Sequence, residues 1–369
     1  MRLLVLQNIV NPHLTPVFEA LGRLTELTVV YFAASEADRR FQNRPGAGYQ
    51  EIILQGRKLE VSTRWNTISA HYNRDLPALL RKHPFDVLIN AGWASPSNWL
   101  GLHQARTLRK PQVLWAGSTA AERTLRRTLT LPAVRWFVRQ QQAFVSYGSA
   151  SAAYLEELGA PPGKVIPGFH CVDNRRFIAS LESPEVHARA LQLRASLSLE
   201  KPVVLFVGRM LECKGGADLI AAARALPFVT LVMAGDGPER RRWERAAEGT
   251  GARFAGHVPL SELPAYYRLA SVAVLPSHEE VWGLVLNEAA LAALPLVAST
   301  ACGASADLIE EGVNGYRVRP GDIAGLASAI SRALDHGAVL GAASRRIVER
   351  YSAESYAASL ARAAALAAD

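Results

Sequence analysis

The sequence predicts an α/β protein built from two doubly wound, parallel-sheet domains. Its 369 residues suit two domains of ordinary size. Short, nearly continuous apolar runs alternate with longer amphipathic stretches, a pattern typical of parallel strands covered by helices on both faces. The pattern ends near residue 165 and restarts near residue 200, so we expect two separate sheets.

The first series of apolar runs predicts six strands with helices between them. We expect the strands at 3–7, 27–32, 51–54, 87–90, 113–116 and 143–147, and helices at 15–23, 76–82, 97–106 and 152–158. Together they form a first domain over residues 1–168. A polar stretch within 164–194 is expected to join it to the second domain.

The second series predicts six more strands and a domain over residues 169–351. We expect these strands at 203–207, 230–234, 253–255, 272–275, 296–298 and 315–318. The Ala-rich stretch 351–368 favours a helix that follows the last of these strands. Because the second sheet is already complete there, this helix is free to pack elsewhere.

Composition excludes several classes of protein. Half of the residues (49%) are hydrophobic, which excludes disorder as the main state. Three scattered cysteines (Cys171, Cys213 and Cys302) exclude a disulfide scaffold and a CxxC zinc site, and they fit a reducing compartment. Without a signal peptide or a membrane-spanning apolar run, we expect a cytoplasmic protein. The net charge of +8 leaves nucleic acid, anionic lipid or a phosphorylated ligand open.

The second domain opens with a strand whose following loop carries two cations. Gly208 ends the run PVVLFVG, and Arg209 and Lys214 follow in a loop that precedes a helix. Ligands of open α/β sheets bind at the carboxyl ends of the strands. A guanidinium fork and a mobile ammonium group are suited to phosphate oxygens, although a solvated surface loop would also carry such cations.

The strongest signal follows the strand at 272–275. Glu280 precedes Gly283, which would begin a helix, and Glu288 lies within that helix. The first amides of a helix bind phosphate, and two flanking carboxylates suit hydroxyls at both ends of a nucleotide-sugar. The plainer alternative is that Glu280 is a helix-start acid and Glu288 a surface residue.

With these residues in place, the chain resembles the retaining, family-four glycosyltransferases of GT-B fold. The resemblance is strong over about 165–351 and implies two Rossmann-like domains facing each other across a cleft. Arg209 and Lys214 stand where the family binds diphosphate, and Glu280 and Glu288 match its E-x7-E pair. The resemblance implies that Glu280 contacts the donor sugar and Glu288 the ribose. It also implies that helix 352–369 crosses back onto the first domain, which would bind the acceptor.

Further donor contacts are implied by the same resemblance. The amides of Gly283 and Leu284 would reach the phosphate, and His257 and Val258 would border the nucleobase. The donor itself would be a nucleoside-diphosphate sugar, with no other cofactor.

The first domain departs from the family. The family's His after the strand at 113–116 is absent, and Ser118 occupies that turn. Asn11 and His13 follow the first strand where relatives carry a Gly-rich loop. We treat Asn11, His13 and Ser118 as candidates on the acceptor side, and His13 is the one to test first.

The predicted mechanism is electrostatic and metal-independent. No Asp-x-Asp triplet occurs in the chain, and Arg209, Lys214 and the helix start at Gly283 would stabilise the leaving phosphate. Together with Glu280, the two cations are the predicted catalytic residues. A departing phosphate oxygen would accept the acceptor's proton on the same face of the sugar.

The acceptor would be a glycan, a lipid-linked molecule or a small molecule in glycolipid, polysaccharide or other glycoconjugate synthesis. Residues 106–139 hold eight basic side chains against one acid, beside Trp136 and Phe137. This mix predicts peripheral docking on the inner, anionic face of a membrane, with an ordinary helix packed on the core as the alternative. An epimerase, a phosphorylase and a non-catalytic nucleotide-sugar or anionic-surface binding protein also stay open; nothing indicates a nucleic-acid partner.

Overall fold

The computed structural model describes residues 1–36, 46–62, 67–121 and 125–369. Within these ranges the strands, in chain order, are β1 (Arg2–Ile9), β2 (Glu26–Ala33), β3 (Gln50–Ile53), β4 (Arg57–Ser62), β5 (Thr67–Tyr72), β6 (Val87–Ala91), β7 (Gln112–Ala116), β8 (Ala143–Ser146), β9 (Val165–Pro167), β10 (Val203–Val207), β11 (Thr230–Ala234), β12 (Arg253–Gly256), β13 (Val272–Leu275), β14 (Leu296–Ser299) and β15 (Gly315–Val318).

The helices of the same ranges, in chain order, are α1 (Thr15–Leu24), α2 (Leu76–Lys82), α3 (Pro96–Thr107), α4 (Leu125–Arg139), α5 (Ser149–Glu157), α6 (Asn174–Glu182), α7 (Pro184–Ser196), α8 (Gly216–Arg224), α9 (Arg240–Ala246), α10 (Leu263–Leu269), α11 (Leu284–Leu291), α12 (Ser305–Leu308), α13 (Ile323–Asp335), α14 (Gly337–Val348) and α15 (Ala353–Ala368). None of them is long and apolar enough to cross a membrane.

The chain divides into two compact units. Unit 1 comprises Met1–Cys171 and Ala353–Asp369, and unit 2 comprises Val172–Ser352. The division after Cys171 lies within the predicted join, 164–194. Most of that stretch belongs to the units themselves, because its first residues form β9 at the edge of the first sheet and its later residues form α6 and α7 of unit 2.

Unit 1 is a seven-stranded sheet in the order β3-β2-β1-β6-β7-β8-β9, with every pair parallel. The six predicted strands are confirmed. Two features were not predicted: β9, which has only three residues, and the antiparallel hairpin of β4 and β5, whose first strand RKLEVS is largely polar. Neither segment carries the apolar run on which the prediction depended.

The Ala-rich helix α15 belongs to unit 1, as the resemblance implied. It packs in the core on one face of the sheet together with residues of β1, α1 and β7. Tyr356 on this helix is fully buried, and its hydroxyl oxygen accepts a hydrogen bond of 2.6 Å from the indole nitrogen of Trp115. The chain therefore completes unit 1 only after it has completed unit 2.

Unit 2 is a six-stranded parallel sheet in the order β12-β11-β10-β13-β14-β15. All six strands predicted for the second half are confirmed. β10, β11, β13 and β14 are mostly apolar, whereas β12 (RFAG) and β15 (GYRV) are short and each contains an arginine. The first strand of the unit, β10, lies between β11 and β13. From β10 the chain first adds β11 and β12 on one side of the sheet, and then β13, β14 and β15 on the other side.

Candidate functional site

The loops after β10 and β13 meet at the carboxyl edge of the unit 2 sheet. The direction of winding reverses between these two strands, and this is the point where open α/β sheets leave a crevice for ligands. Gly215 brings the loops into contact: its φ is +68°, and a Cβ at this position would lie 2.1 Å from the carbonyl oxygen of Pro276. The backbone of His278 also donates to Cys213 O at 2.7 Å.

An ion pair connects the two loops at this edge. Lys214 Nζ lies 2.5 Å from Glu280 Oε2, and each side chain is only 18% exposed. Burial acts to lower the pKa of Lys214, but the charge and hydrogen bond of Glu280 outweigh it and raise the pKa above its ordinary value. Lys214 therefore stays a cation, and it has further N–H groups with which to bind an anion.

The N-terminus of α11 opens beside this ion pair. Its cap, Gly283, has φ +97°, and the helix begins at Leu284. The preceding segment is fixed by a neighbouring turn, because Gly303 N donates to Glu280 O at 3.0 Å and Ala304 N donates to Trp282 O at 2.9 Å. The first amides of a helix have no acceptor within the helix, so this end is suited to an anion.

Glu288 lies inside α11 and is buried, so the alternative in which Glu288 is a surface residue is wrong. The hydroxyl of Tyr267, on α10, donates to Glu288 Oε2 at 2.6 Å. Burial raises the pKa of Glu288 to about 7, and the hydrogen bond from Tyr267 opposes this rise. Tyr267 was not predicted as a site residue, because nothing in the sequence distinguishes it from its neighbour Tyr266.

The other predicted donor residues lie at the same edge of the sheet. Gly208 N donates to Ala234 O at 3.0 Å, so Gly208 lies directly against the end of β11, and Arg209 follows it as an exposed residue. His257 and Val258 follow the end of β12, where Gly256 O accepts a bond of 2.8 Å from Gly235 N. Arg209, Lys214, Glu280, Gly283 and His257 thus share the carboxyl edge of one sheet.

In unit 1 the candidate acceptor residues form two separate groups. Asn11 Oδ1 accepts from His13 N at 3.0 Å, just after β1. Burial lowers the pKa of His13, and burial followed by the charge of His13 lowers the pKa of His170 to about 3. Ser118 Oγ, after β7, accepts instead from Arg127 Nη2 at 3.2 Å.

Helix α4 carries the later part of the basic segment 106–139, whereas Arg106 lies on α3 and Arg109 and Lys110 follow that helix. Trp136 is 52% exposed and Leu129 75% exposed, whereas Phe137 is fully buried. The pairing of Trp136 and Phe137 as one membrane-facing surface is therefore wrong, because adjacent residues of a helix point in different directions and Phe137 joins the core. Arg123 lies outside the described residues.

The described residues contain no group of three or more His, Cys, Asp or Glu side chains placed to hold a metal ion. The three cysteines are buried, and none of them is part of a disulfide.

Comparison with known proteins finds relatives of the edge just described. Residues 201–336 match the family described as Glycosyl transferases group 1. The segment that carries this edge is therefore similar to the glycosyl transferases of group 1. Glycogen synthase of Mycobacterium tuberculosis is 37% identical over 222 residues, which cover 57% of this chain and 49% of that protein. D-inositol 3-phosphate glycosyltransferase of Geodermatophilus obscurus is 30% identical over 282 residues, which cover 71% of this chain and 61% of that protein.

The chain thus spans about half of the length of the first relative and three fifths of the second. Among solved structures, Alr3699/HepE of Anabaena in complex with UDP matches with a TM-score of 0.74 at 19% identity, over 98% of this chain and 99% of that one. The whole chain has the GT-B fold, as predicted. All predicted donor residues from Gly208 to Glu288 lie in the group 1 glycosyl transferase segment, while Asn11, His13 and Ser118 lie outside it.

Proposed function

We propose that the protein is a glycosyltransferase that moves a sugar from a nucleoside-diphosphate sugar to an acceptor hydroxyl with retention of anomeric configuration. The observation that carries the proposal is the Lys214–Glu280 ion pair beside the N-terminus of α11, at the switch point of unit 2. It combines a cation and open amides for a diphosphate with a carboxylate for sugar hydroxyls. HepE, which shares the fold, has been solved with UDP and with UDP-glucose.

Each residue of the site has a distinct task in this proposal. Lys214 and Arg209 bind the diphosphate together with the amides of Gly283 and Leu284. Because Glu280 fixes Lys214 by one hydrogen bond, the remaining N–H groups of the ammonium are oriented before the donor arrives. Glu280 also offers its carboxylate to the donor sugar, and Glu288 binds the ribose.

The reaction follows from this arrangement of charge. The bond from the anomeric carbon to the β-phosphate oxygen breaks as Lys214, Arg209 and the helix N-terminus stabilise the charge on the leaving phosphate. The acceptor oxygen bonds to the same face of that carbon, and the acceptor's proton passes to the leaving phosphate oxygen. Two cations and a helix dipole supply the stabilisation that a metal ion gives elsewhere, so we propose that transfer is metal-independent.

The test is donor binding followed by turnover. Thermal shifts with UDP, GDP, ADP and dTDP should single out one base, because a ligand that binds only the native state raises its stability. The matching nucleotide-sugar should then be consumed only when acceptor is present, and the anomeric proton signal of the product should show the donor's configuration. Consumption without acceptor would indicate an epimerase or hydrolase, and the opposite anomer would refute retention.

We further propose that unit 1 docks on an anionic membrane surface to reach a lipid-linked or membrane-proximal acceptor. The support is helix α4, which exposes Trp136 and Leu129 together with Arg135 and Arg139. Each basic residue near such a surface contributes about 1 kcal/mol, so binding should be salt-sensitive.

Vesicle co-sedimentation tests the docking proposal. Wild type should bind anionic and not neutral vesicles, and Trp136→Ser and Arg135→Glu should weaken binding. Phe228→Ser and Arg242→Glu, at exposed positions of unit 2, are the matched controls and should bind as wild type. No binding to anionic vesicles at low salt would refute docking and indicate a soluble acceptor.

A further inference from the structure

The two carboxylate oxygens of Glu288 differ in their hydrogen bonding. Oε2 accepts the 2.6 Å hydrogen bond from the hydroxyl of Tyr267. Among the described residues no hydrogen bond reaches Oε1, yet Oε1 is not one of the buried polar atoms that lack a partner. Oε1 is therefore open to solvent, although the side chain as a whole is buried.

Tyr267 is itself fixed in place. It is 1% exposed on α10, and its ring meets that of Phe177, on α6, edge-on at 5.8 Å between centroids. A tyrosine held by packing on its ring and by one hydrogen bond at its hydroxyl has a single orientation. Through its hydrogen bond, it can also fix the orientation of the carboxylate that it contacts.

We propose that Tyr267 is a positioning residue for donor binding, whose hydroxyl holds Glu288 so that Oε1 faces the ribose diol of the nucleotide. This inference rests on the proposed function, in which Glu288 binds the ribose. Two vicinal hydroxyls donate well only to a carboxylate that is ionised and correctly turned. The hydroxyl of Tyr267 serves both requirements, because it fixes the rotation of the carboxylate and stabilises its negative charge.

The pH dependence of binding gives this proposal a distinctive signature. Burial and Tyr267 are the two causes of the shifted pKa of Glu288. Within the described residues, the ionisable groups on the helices around α11 make no contribution to that shift; they are Arg175, Arg176 and Glu182 on α6, Tyr266 and Arg268 on α10, Asp307 on α12, and Arg345 and Arg346 on α14. Protonation of Glu288 below about pH 7 should therefore weaken nucleotide binding.

Tyr267→Phe removes the hydrogen bond and keeps the ring. We expect UDP, or whichever nucleoside diphosphate binds wild type, to bind about tenfold more weakly to this variant at pH 7. Without the hydroxyl the pKa of Glu288 rises, so the midpoint of the affinity–pH curve should move up by about one pH unit. Glu288→Gln should abolish this midpoint, and its curve gives the pH dependence of the rest of the site, including the phosphates.

Two comparisons separate positioning from general damage to the fold. Tyr266→Phe, at the adjacent buried position, should keep both the affinity and the midpoint. In the Glu288→Gln background, Tyr267→Phe should have little further effect on affinity, because the group that it positions is gone. Should Tyr267→Phe fold poorly, 3-fluorotyrosine at 267, a stronger donor with nearly the same shape, should lower the midpoint instead.

A wild-type affinity and midpoint in Tyr267→Phe would overturn the proposal while leaving the proposed function intact. A loss of thermal stability without a change in the midpoint of the affinity–pH curve would also overturn it, since that result would mean that Tyr267 contributes only to packing. If wild type binds none of the four nucleoside diphosphates, the proposed function fails first.

Discussion

Gly283 should tolerate no side chain, and the structure gives the size of the effect. Its φ of +97° is a conformation that L-residues rarely adopt, which costs about 1–3 kcal/mol in a variant. A Cβ would also lie 2.7 Å from Leu275 Cδ2 and 2.9 Å from Cys302 Sγ, both of which are buried. Overpacking of this kind costs about 1–3 kcal/mol. We therefore expect Gly283→Ala to lose about 2–6 kcal/mol of unfolding free energy.

Gly321→Ala is the matched control that separates the two contributions. Gly321 has φ +80°, and among the described atoms nothing lies within 4 Å of its Cβ position, so this variant carries strain without overlap. Urea unfolding of both variants should show a larger loss for Gly283→Ala by about 1–3 kcal/mol. Calorimetry should show weaker UDP binding for Gly283→Ala alone, because relief of the overlap moves the first amides of α11. Equal stability losses together with wild-type UDP affinity would refute this reasoning.

The remaining predictions concern the charges of the site. Arg209→Ala should weaken diphosphate binding by about 1.5–3 kcal/mol in calorimetry, and unchanged affinity in the double variant with Lys214→Ala would contradict the assignment. Glu280→Gln should lower turnover yet keep nucleotide affinity, because Lys214 stays available to the phosphate; transfer at the wild-type rate would show that Glu280 has another role. Turnover should survive EDTA, and a strict divalent-metal requirement would contradict the electrostatic mechanism. Glu288→Gln should stabilise the protein above pH 7, by up to about 3 kcal/mol, and change little below pH 4 in pH-dependent unfolding. The raised pKa of Glu288 costs stability progressively between pH 4.5 and about 7, where the carboxyl ionises in the unfolded chain and stays protonated in the folded one, and the full cost persists above pH 7.

The sequence was most informative where a strand is an unbroken apolar run. In unit 2, β10 and β13 are of this kind, and VAVL at Val272–Leu275 ends cleanly before a polar loop. The hairpin of β4 and β5 was missed because RKLEVS alternates polar and apolar side chains only weakly. β9 was missed because three residues, VIP, are too few to show a period. Both depend on pairing with a neighbouring strand, which a linear pattern does not record.

At the candidate site too, the residue types could be predicted from the sequence, but the contacts between them could not. Lys214 and Glu280 were named in advance, but their direct contact joins residues 66 positions apart, and only the closeness of β10 and β13 brings it about. Tyr267 carried no signal, because LPAYYRL contains two adjacent tyrosines that the sequence alone cannot rank. The position of α10 beside α11 decides which of the two reaches Glu288. Contacts of this kind follow from tertiary packing, while the residue types at strand ends follow from the sequence.

Two features of this edge make the protein less stable than it could be. Gly283 requires a left-handed backbone, and Glu288 holds a carboxylate in a buried position that raises its pKa. A core optimised for stability alone would carry neither of them, since an uncompensated buried charge and a positive φ both oppose folding. In the proposed function, a bound nucleotide-sugar would offset these costs by pairing phosphate with the first amides of α11 and ribose with Glu288. The cost would then fall on the unliganded state, whose groups would already be oriented for the donor, so that the donor need not order them on binding.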